Sequence, residues 1–290
     1  MSEHSTRSNL ELHLAVALDE LVRRREEARF MSYLAKPRAS QKQINAWLSG
    51  ARGRVVIGGN RSGKSMFGAV ESVTWCHHST ISASGGHATP LGRAIPRGPV
   101  YVRVVCPELP STLDKPHVQR DKVRLITPAH WLRGDNWHRA YSVLGHTLHF
   151  KNGSLLEFMS SEQSTDKHSG QSLHAVWFDE EMPKQIWTEN MARLDQGSGA
   201  WWLTYTPVQA LRWIYDDIYL PALRGKYFMV EIDTEDNRHN LGSEFIEEMD
   251  SALSESEKEM RLRGRYSVQS GLVYDVFGSA HTGVSVEVVG

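Results

Sequence analysis

"RVVIGGNRSGKSMFGAVESVTW", residues 54–75, is the stretch on which the fold turns. An apolar run leads into a glycine-rich octet, "GGNRSGKS" (58–65), and a segment of helical character follows. Gly58-x-x-x-x-Gly63-Lys64-Ser65 is the Walker A pattern in its proper context, with a strand before it and a helix after it. Glycines let the backbone curl so that successive N–H groups point inward at phosphate oxygens, and the positive end of the following helix adds to the attraction. Gly58, Gly59, Asn60, Arg61, Ser62, Gly63, Lys64 and Ser65 are therefore the expected ATP-binding loop. Lys64 is expected on the β- and γ-phosphates and the Ser65 hydroxyl on Mg²⁺.

Such a loop needs a carboxylate for the metal, and "AVWFDEE" (175–181) supplies it at the end of an apolar strand. Asp179 is the expected Mg²⁺ ligand, directly or through water. Glu180 is the expected general base that polarises the attacking water, which implies hydrolysis rather than transfer to a substrate hydroxyl. Glu181 is expected to pair with a nearby base. "TYTP" (204–207) closes the next strand, and its alternation puts the Thr204 and Thr206 hydroxyls on one side, facing the γ-phosphate region.

Outward from these motifs, strands alternate with helices, which predicts an α/β P-loop fold with a mainly parallel sheet flanked by helices. "SNLE" (8–11) has capping-box spacing and opens a helix carrying Leu10, Leu14, Leu18, Leu21 and Val22. "SQKQINAWL" (40–48) predicts a short helix, and 79–99 reads as a loop or flap rich in Gly, Pro, Ser and Thr. "VYVRVVCP" (100–107) has the continuous apolar character of a strand covered on both faces. "RDKVRLI" (120–126) predicts a helical piece, and 144–161 a hairpin turning at Asn152-Gly153. "SEFIEEMDSALSESEKEMRLRG" (243–264) predicts a polar helical hairpin. The expected division is an N-terminal helical arm (1–36), an ATPase core (37–225), a small helical lid or linker subdomain (226–265) and the start of a further β-element (266–290).

The 290 residues carry 33 basic and 34 acidic side chains, a net charge of −1, so any nucleic-acid contact is expected to be local. The most basic stretches are "RLRGR" (261–265) and 114–139. No run approaches the roughly 20 apolar residues of a membrane span, and the N-terminus does not have the pattern of a signal peptide. Cys76 and Cys106 read as buried small hydrophobes in a reducing compartment, and "CHH" (76–78) lacks a second ligand pair at zinc spacing.

Taken together, "SQKQINAW", "GGNRSGKS", "FKNGSLLEFMSSEQSTDKHSGQSLHAVWFDEEMP", "TYTP" and "EDNRHN…RLRGRYSVQSGLVYDVF" resemble the large subunit of the DNA-packaging terminase of tailed bacteriophages, over about residues 40–277. The resemblance implies a catalytic-glutamate P-loop fold with an additional strand, and an ATPase motor that moves double-stranded DNA into a procapsid. It implies a homo-oligomeric ring, with five subunits the expected number, docked on the portal protein. A terminase small subunit would be a partner, and the place of action the cytoplasm of the infected host rather than the mature virion. By position, Gln43 resembles the adenine-reading glutamine, with Gln41 the weaker alternative, and Arg61 a γ-phosphate sensor. Thr204 and Thr206 resemble the coupling motif. Arg139 is the candidate for an arginine offered to a neighbouring subunit, with Arg133 and Arg124 as alternatives. "GLVYDVF" (271–277) resembles the opening strand of the family's nuclease domain. The acidic cluster of that domain does not follow, so nuclease activity is not expected from these residues. A helicase-type ATPase, a small-molecule kinase and a nucleotide-binding assembly module share parts of the pattern. The single Walker A motif argues against the first, and the glutamate after Asp179 against the second.

Overall fold

"GRVVIG" forms the strand β1 (Gly53–Gly58), buried at every position. The structure, a computed structural model, describes residues 2–81, 95–109 and 116–266, with the side chains of 2–11, 79–81 and 243 left aside. β1 lies between β7 (Ala200–Tyr205) and β8 (Phe228–Ile232), parallel to both. Beyond β7 come β6 (Ala175–Asp179), β2 (Tyr101–Cys106) and β5 (Leu155–Ser160), all parallel. Two short antiparallel strands, β4 (Thr147–His149) and β3 (Tyr141–Ser142), complete an eight-stranded sheet of order β3-β4-β5-β2-β6-β7-β1-β8. β7 thus stands between the strand that feeds the phosphate loop and the strand that ends in Asp179, as the additional strand should.

Alternate side chains of the central strands enter two cores, one on each face, which is why the strands read as unbroken apolar runs. On one face Val56, Trp202, Trp177 and Val104 pack with Phe67, Val70 and Val73 of the helix α3 (Lys64–Ile81). On the other, Val55, Ile57, Leu203, Phe178 and Val176 pack with Ile186, Ile214 and Ile218. α3 is also pinned by a fully buried ion pair between Arg54 of β1 and Glu71, with the Trp75 indole N–H donating to Glu71 at 3.1 Å. Arg103 interrupts the apolar run of β2. It is buried, donating to Glu157 at 2.8 Å, to the His168 carbonyl at 2.8 Å and to Asn190 at 3.0 Å.

Several expectations are corrected. The first helix, α1 (Ser2–Ser32), begins ahead of Ser8, and its Leu14, Leu18, Leu21 and Val22 are more than half exposed rather than packed. β8 pairs along its whole length with β1, so the core sheet extends through Ile232 and the boundary at 225 falls too early. Within 79–99, α3 runs on to Ile81 and 82–94 lie outside the described residues. The element expected over 266–290 likewise lies outside them from residue 267. α2 (Gln41–Leu48), the turn at Gly153 (φ +87°) and the helices Ser243–Ala252 and Glu255–Arg261 match their expectations. Cys76 and Cys106 are buried and unbridged.

Strand register gathers the site. Asp179 is level with Thr204, and Tyr205 with Ile57, so the carboxyl ends of β6, β7 and β1 finish side by side. Ligands of open α/β sheets bind at such strand ends.

Candidate active site

β1 hands the chain to a loop that cannot be built from ordinary residues. Gly63 has φ +93°, and a Cβ there would come 2.8 Å from Gln43 Nε2. Arg61, though not a glycine, is also left-handed at φ 57°, a conformation that persists only where the surroundings enforce it. Here they do. The Gly59 N–H donates to the Ile232 carbonyl at 3.1 Å and the Asn60 N–H to the Arg261 carbonyl at 2.5 Å. Thr234 Oγ1 donates to the Asn60 carbonyl and Asn237 Nδ2 to the Arg61 carbonyl, both at 2.7 Å. Lys64, the first residue of α3, is nearly buried, and its Nζ lies 3.4 Å from both the Gly59 carbonyl and Glu180 Oε1.

Asp179 is buried at the end of β6. Thr204 Oγ1 accepts from the Trp177 indole N–H at 2.7 Å and donates to Asp179 Oδ1 at 2.5 Å, while Gln119 Nε2 donates to Oδ2. Burial raises the Asp179 carboxyl above the ordinary carboxylate range, and these two hydrogen bonds oppose the shift. Glu180 turns out of the strand with φ +73°, its N–H donating to the Thr204 carbonyl at 2.7 Å. Its Oε2 accepts from the Thr206 N–H at 3.0 Å. Burial raises the Glu180 carboxyl as well, offset in part by Lys64. Thr206 Oγ1 donates to the Gly58 carbonyl at 2.9 Å, tying β7 to the root of the loop. Among the described residues Glu181 pairs with no base. Its oxygens accept the backbone N–H groups of Gln209 (2.7 Å) and Leu211 (2.9 Å) and so hold the loop that follows β7.

Two cavities flank Lys64 and Ser65. One, of about 780 Å³, is lined by Ser65, Asp179, Glu180, Gln119, His117 and Glu108 among others. The other, of about 500 Å³, is lined by residues including Gln43, Arg61, Gly63, Lys64, Ser65 and Lys122. Gln43 reaches the second cavity with its carboxamide already engaged. Oε1 accepts from the Ser40 N–H at 2.8 Å, closing a capping box at the start of α2, and Nε2 donates to the Gly63 carbonyl at 3.0 Å. Gln41 bonds Asn45 on the exposed side of the same helix. Arg61 is exposed, and its guanidinium lies 4.5 Å from the ring centre of Phe245 on the helix Ser243–Ala252. Arg124, Arg133 and Arg139 are exposed, and none lines either cavity. In "RLRGR" the Arg263 and Arg265 side chains pair with Glu259 and, for Arg265, also with Glu231, so this stretch is a strut against the phosphate loop more than a free basic patch.

With this geometry in hand, a sequence-family profile described as "Terminase large subunit, T4likevirus-type, N-terminal" matches residues 131–279. The chain belongs to the terminase large subunit family. The large terminase subunit of Salmonella phage P22 is 27% identical over 126 residues, covering 42% of this chain and 24% of that protein. Among solved structures, the large terminase of a thermophilic bacteriophage superposes with a TM-score of 0.58 at 16% identity, over 83% of this chain and 57% of that one. The same phage's large terminase in complex with ADP gives 0.54 at 18%, over 77% and 52%. The large terminase ATPase domain of Thermus phage P74-26 gives 0.53 at 18%, over 79% and 94%. At these identities the structures speak for the fold. The chain spans about a quarter of the P22 terminase and little more than half of the thermophilic bacteriophage's terminase.

Sequence reasoning missed Gln119, His117 and Lys122 on the helix α4 (Val118–Ile126) and its cap. His117 caps that helix, its Nδ1 accepting from the Arg120 N–H at 2.9 Å. The signal was present as the spacing of Val118, Gln119 and Lys122, which share one helical face.

Proposed function

We propose that this terminase chain binds ATP with Mg²⁺ and hydrolyses it to drive double-stranded DNA into a procapsid. The observation that carries the proposal is the convergence of Ser65, Asp179 and Glu180 on one cavity, with Lys64 at 3.4 Å from Glu180. Lys64, Ser65 and the backbone of 58–65 would hold the phosphates. A serine hydroxyl and a carboxylate with a free lone pair on each oxygen are the hard oxygen donors that Mg²⁺ takes, so Ser65 and Asp179 fit the ion. Bound there, Mg²⁺ would neutralise charge developing on the phosphates.

Glu180 is built as a base. Its raised proton affinity strengthens it, and the Thr206 N–H fixes one oxygen while the other faces Lys64. When a triphosphate draws the Lys64 ammonium away, Glu180 Oε1 becomes free to accept a proton from water. Thr204 and Thr206 tie Asp179, Glu180 and Gly58 to one strand end, so a change at the phosphates reaches the loop held by Glu181. This supports the coupling role of the pair. Gln43 braces the phosphate loop, and reading adenine would require it to release Ser40 or Gly63. Arg61 would sense the γ-phosphate only on leaving Phe245.

The intact motor would be a ring of five such subunits on the portal protein, with the terminase small subunit as partner, acting in the host cytoplasm. Arg139 would then serve a neighbouring subunit. The helical arm (1–36) and the lid (from 233) would flank the ATPase core, and 266–290 would begin the nuclease domain. No described helix is long and apolar enough to cross a membrane. Replacing Glu180→Gln tests the chemistry: hydrolysis should fall by at least ~100-fold with ATP binding retained. Unchanged turnover would refute the assignment.

A further inference from the structure

α4 enters the site in a fixed pose. His117 caps it, donating from Nε2 to the Glu108 carbonyl at 2.9 Å, and Gln119 locks its first turn onto Asp179. Lys122 follows Gln119 by three residues and so lies on the same face. It lines the same cavity as Gly63, Lys64 and Ser65. The side chain is half-buried, and among the described residues no carboxylate or carbonyl accepts a hydrogen bond from its ammonium. Burial lowers its proton affinity most; the charge of Asp179 opposes this, Lys64 lowers it further, and Asp121 opposes in turn. A partly buried ammonium that finds no acceptor among the described residues has donors to offer a ligand. Two ammonium groups, Lys64 and Lys122, therefore share a cavity whose loop is shaped for anions.

We propose that Lys122 is a second phosphate-binding cation, supplied by α4 of the same subunit, that donates to the phosphate chain of the bound nucleoside di- or triphosphate. Lys64 and the loop N–H groups hold that chain from β1 and α3, and Lys122 closes on it from α4. Because Gln119 on the same face bonds Asp179, the position of α4 depends on both the phosphates and the metal carboxylate. The inference rests on the nucleotide-binding assignment of this cavity.

The test uses the whole chain with Lys122→Met, which keeps most of the stem's packing and removes the charge. ADP and ATP binding are measured by calorimetry, together with the melting temperature with and without ADP. The expected result is a loss of affinity of roughly tenfold to hundredfold for both nucleotides, the worth of a charge-assisted hydrogen bond. Lys122→Arg should restore part of it. The nucleotide-free variant should melt no lower than wild type, because no hydrogen bond from the ammonium to a described residue is lost. Affinities within about twofold of wild type, or a variant that melts lower without nucleotide and binds it normally, would overturn the inference. If the wild-type chain itself binds neither ADP nor ATP, the assignment of the cavity fails instead, which is a distinct outcome.

Discussion

Glu180 shows how much chemistry one backbone angle can carry. Its left-handed φ of +73° turns the carboxylate out of line with Asp179, toward Lys64 and the Thr206 N–H. The base must be deprotonated to work, and burial raises its proton affinity. The acid limb of the pH–rate profile is therefore predicted to lie above the ordinary glutamate value of about 4.3, with kcat falling as pH drops through it; a limb at or below that value would contradict the environment described. Thr204→Val should cost about 1–3 kcal/mol in unfolding free energy by denaturant titration, because it leaves the Trp177 indole N–H buried without its acceptor. It should also weaken the metal dependence of turnover, since Asp179 loses a partner. Residue types were legible where a motif demanded them, at Lys64, Ser65, Asp179 and Glu180. The angle of Glu180 was not, because nothing local requires it. Gln43 was legible in a different sense: "SQKQ" is itself a capping box, which states the local role that the structure displays.

At the scale of elements, the phosphate loop is gripped by chain more than 170 residues away in sequence. Gly264, at φ +68°, packs so closely that a Cβ would come 2.4 Å from the backbone of Gly58. Gly264→Ala should therefore introduce strain of about 1–3 kcal/mol, visible as a lower melting temperature together with weaker ADP binding. Where α3 packs on β1, Arg54→Met should cost about 3–5 kcal/mol by stranding Glu71 in the core, and the double variant Arg54→Met/Glu71→Leu should recover most of that by denaturant titration. Strands with unbroken apolar runs were readable because both faces are covered. β8 was not, since "FMVEI" is a half-buried edge strand with a glutamate in it, and β3 has only two residues. Lys122 was passed over because 114–139 reads as a basic surface. Only the spacing of Gln119 and Lys122 on one helical face signals that α4 turns part of that charge inward.

At the scale of the whole molecule, one sheet brings the phosphate loop, Asp179, Glu180 and the Thr204–Thr206 pair to the carboxyl ends of neighbouring strands, and the chain after β8 fastens to that loop. Arg124, Arg133 and Arg139 stand elsewhere, with Arg139 just before the edge strand β3. On the proposal that Arg139 serves a neighbouring subunit, turnover per chain should depend on assembly. The most direct measurement is the steady-state ATP hydrolysis rate per chain across a range of protein concentrations, with and without linear duplex DNA. The account predicts Mg²⁺-dependent turnover that rises with concentration, rises further with DNA, and loses its concentration dependence in Arg139→Ala. Absence of hydrolysis at every concentration, with DNA present, would contradict it.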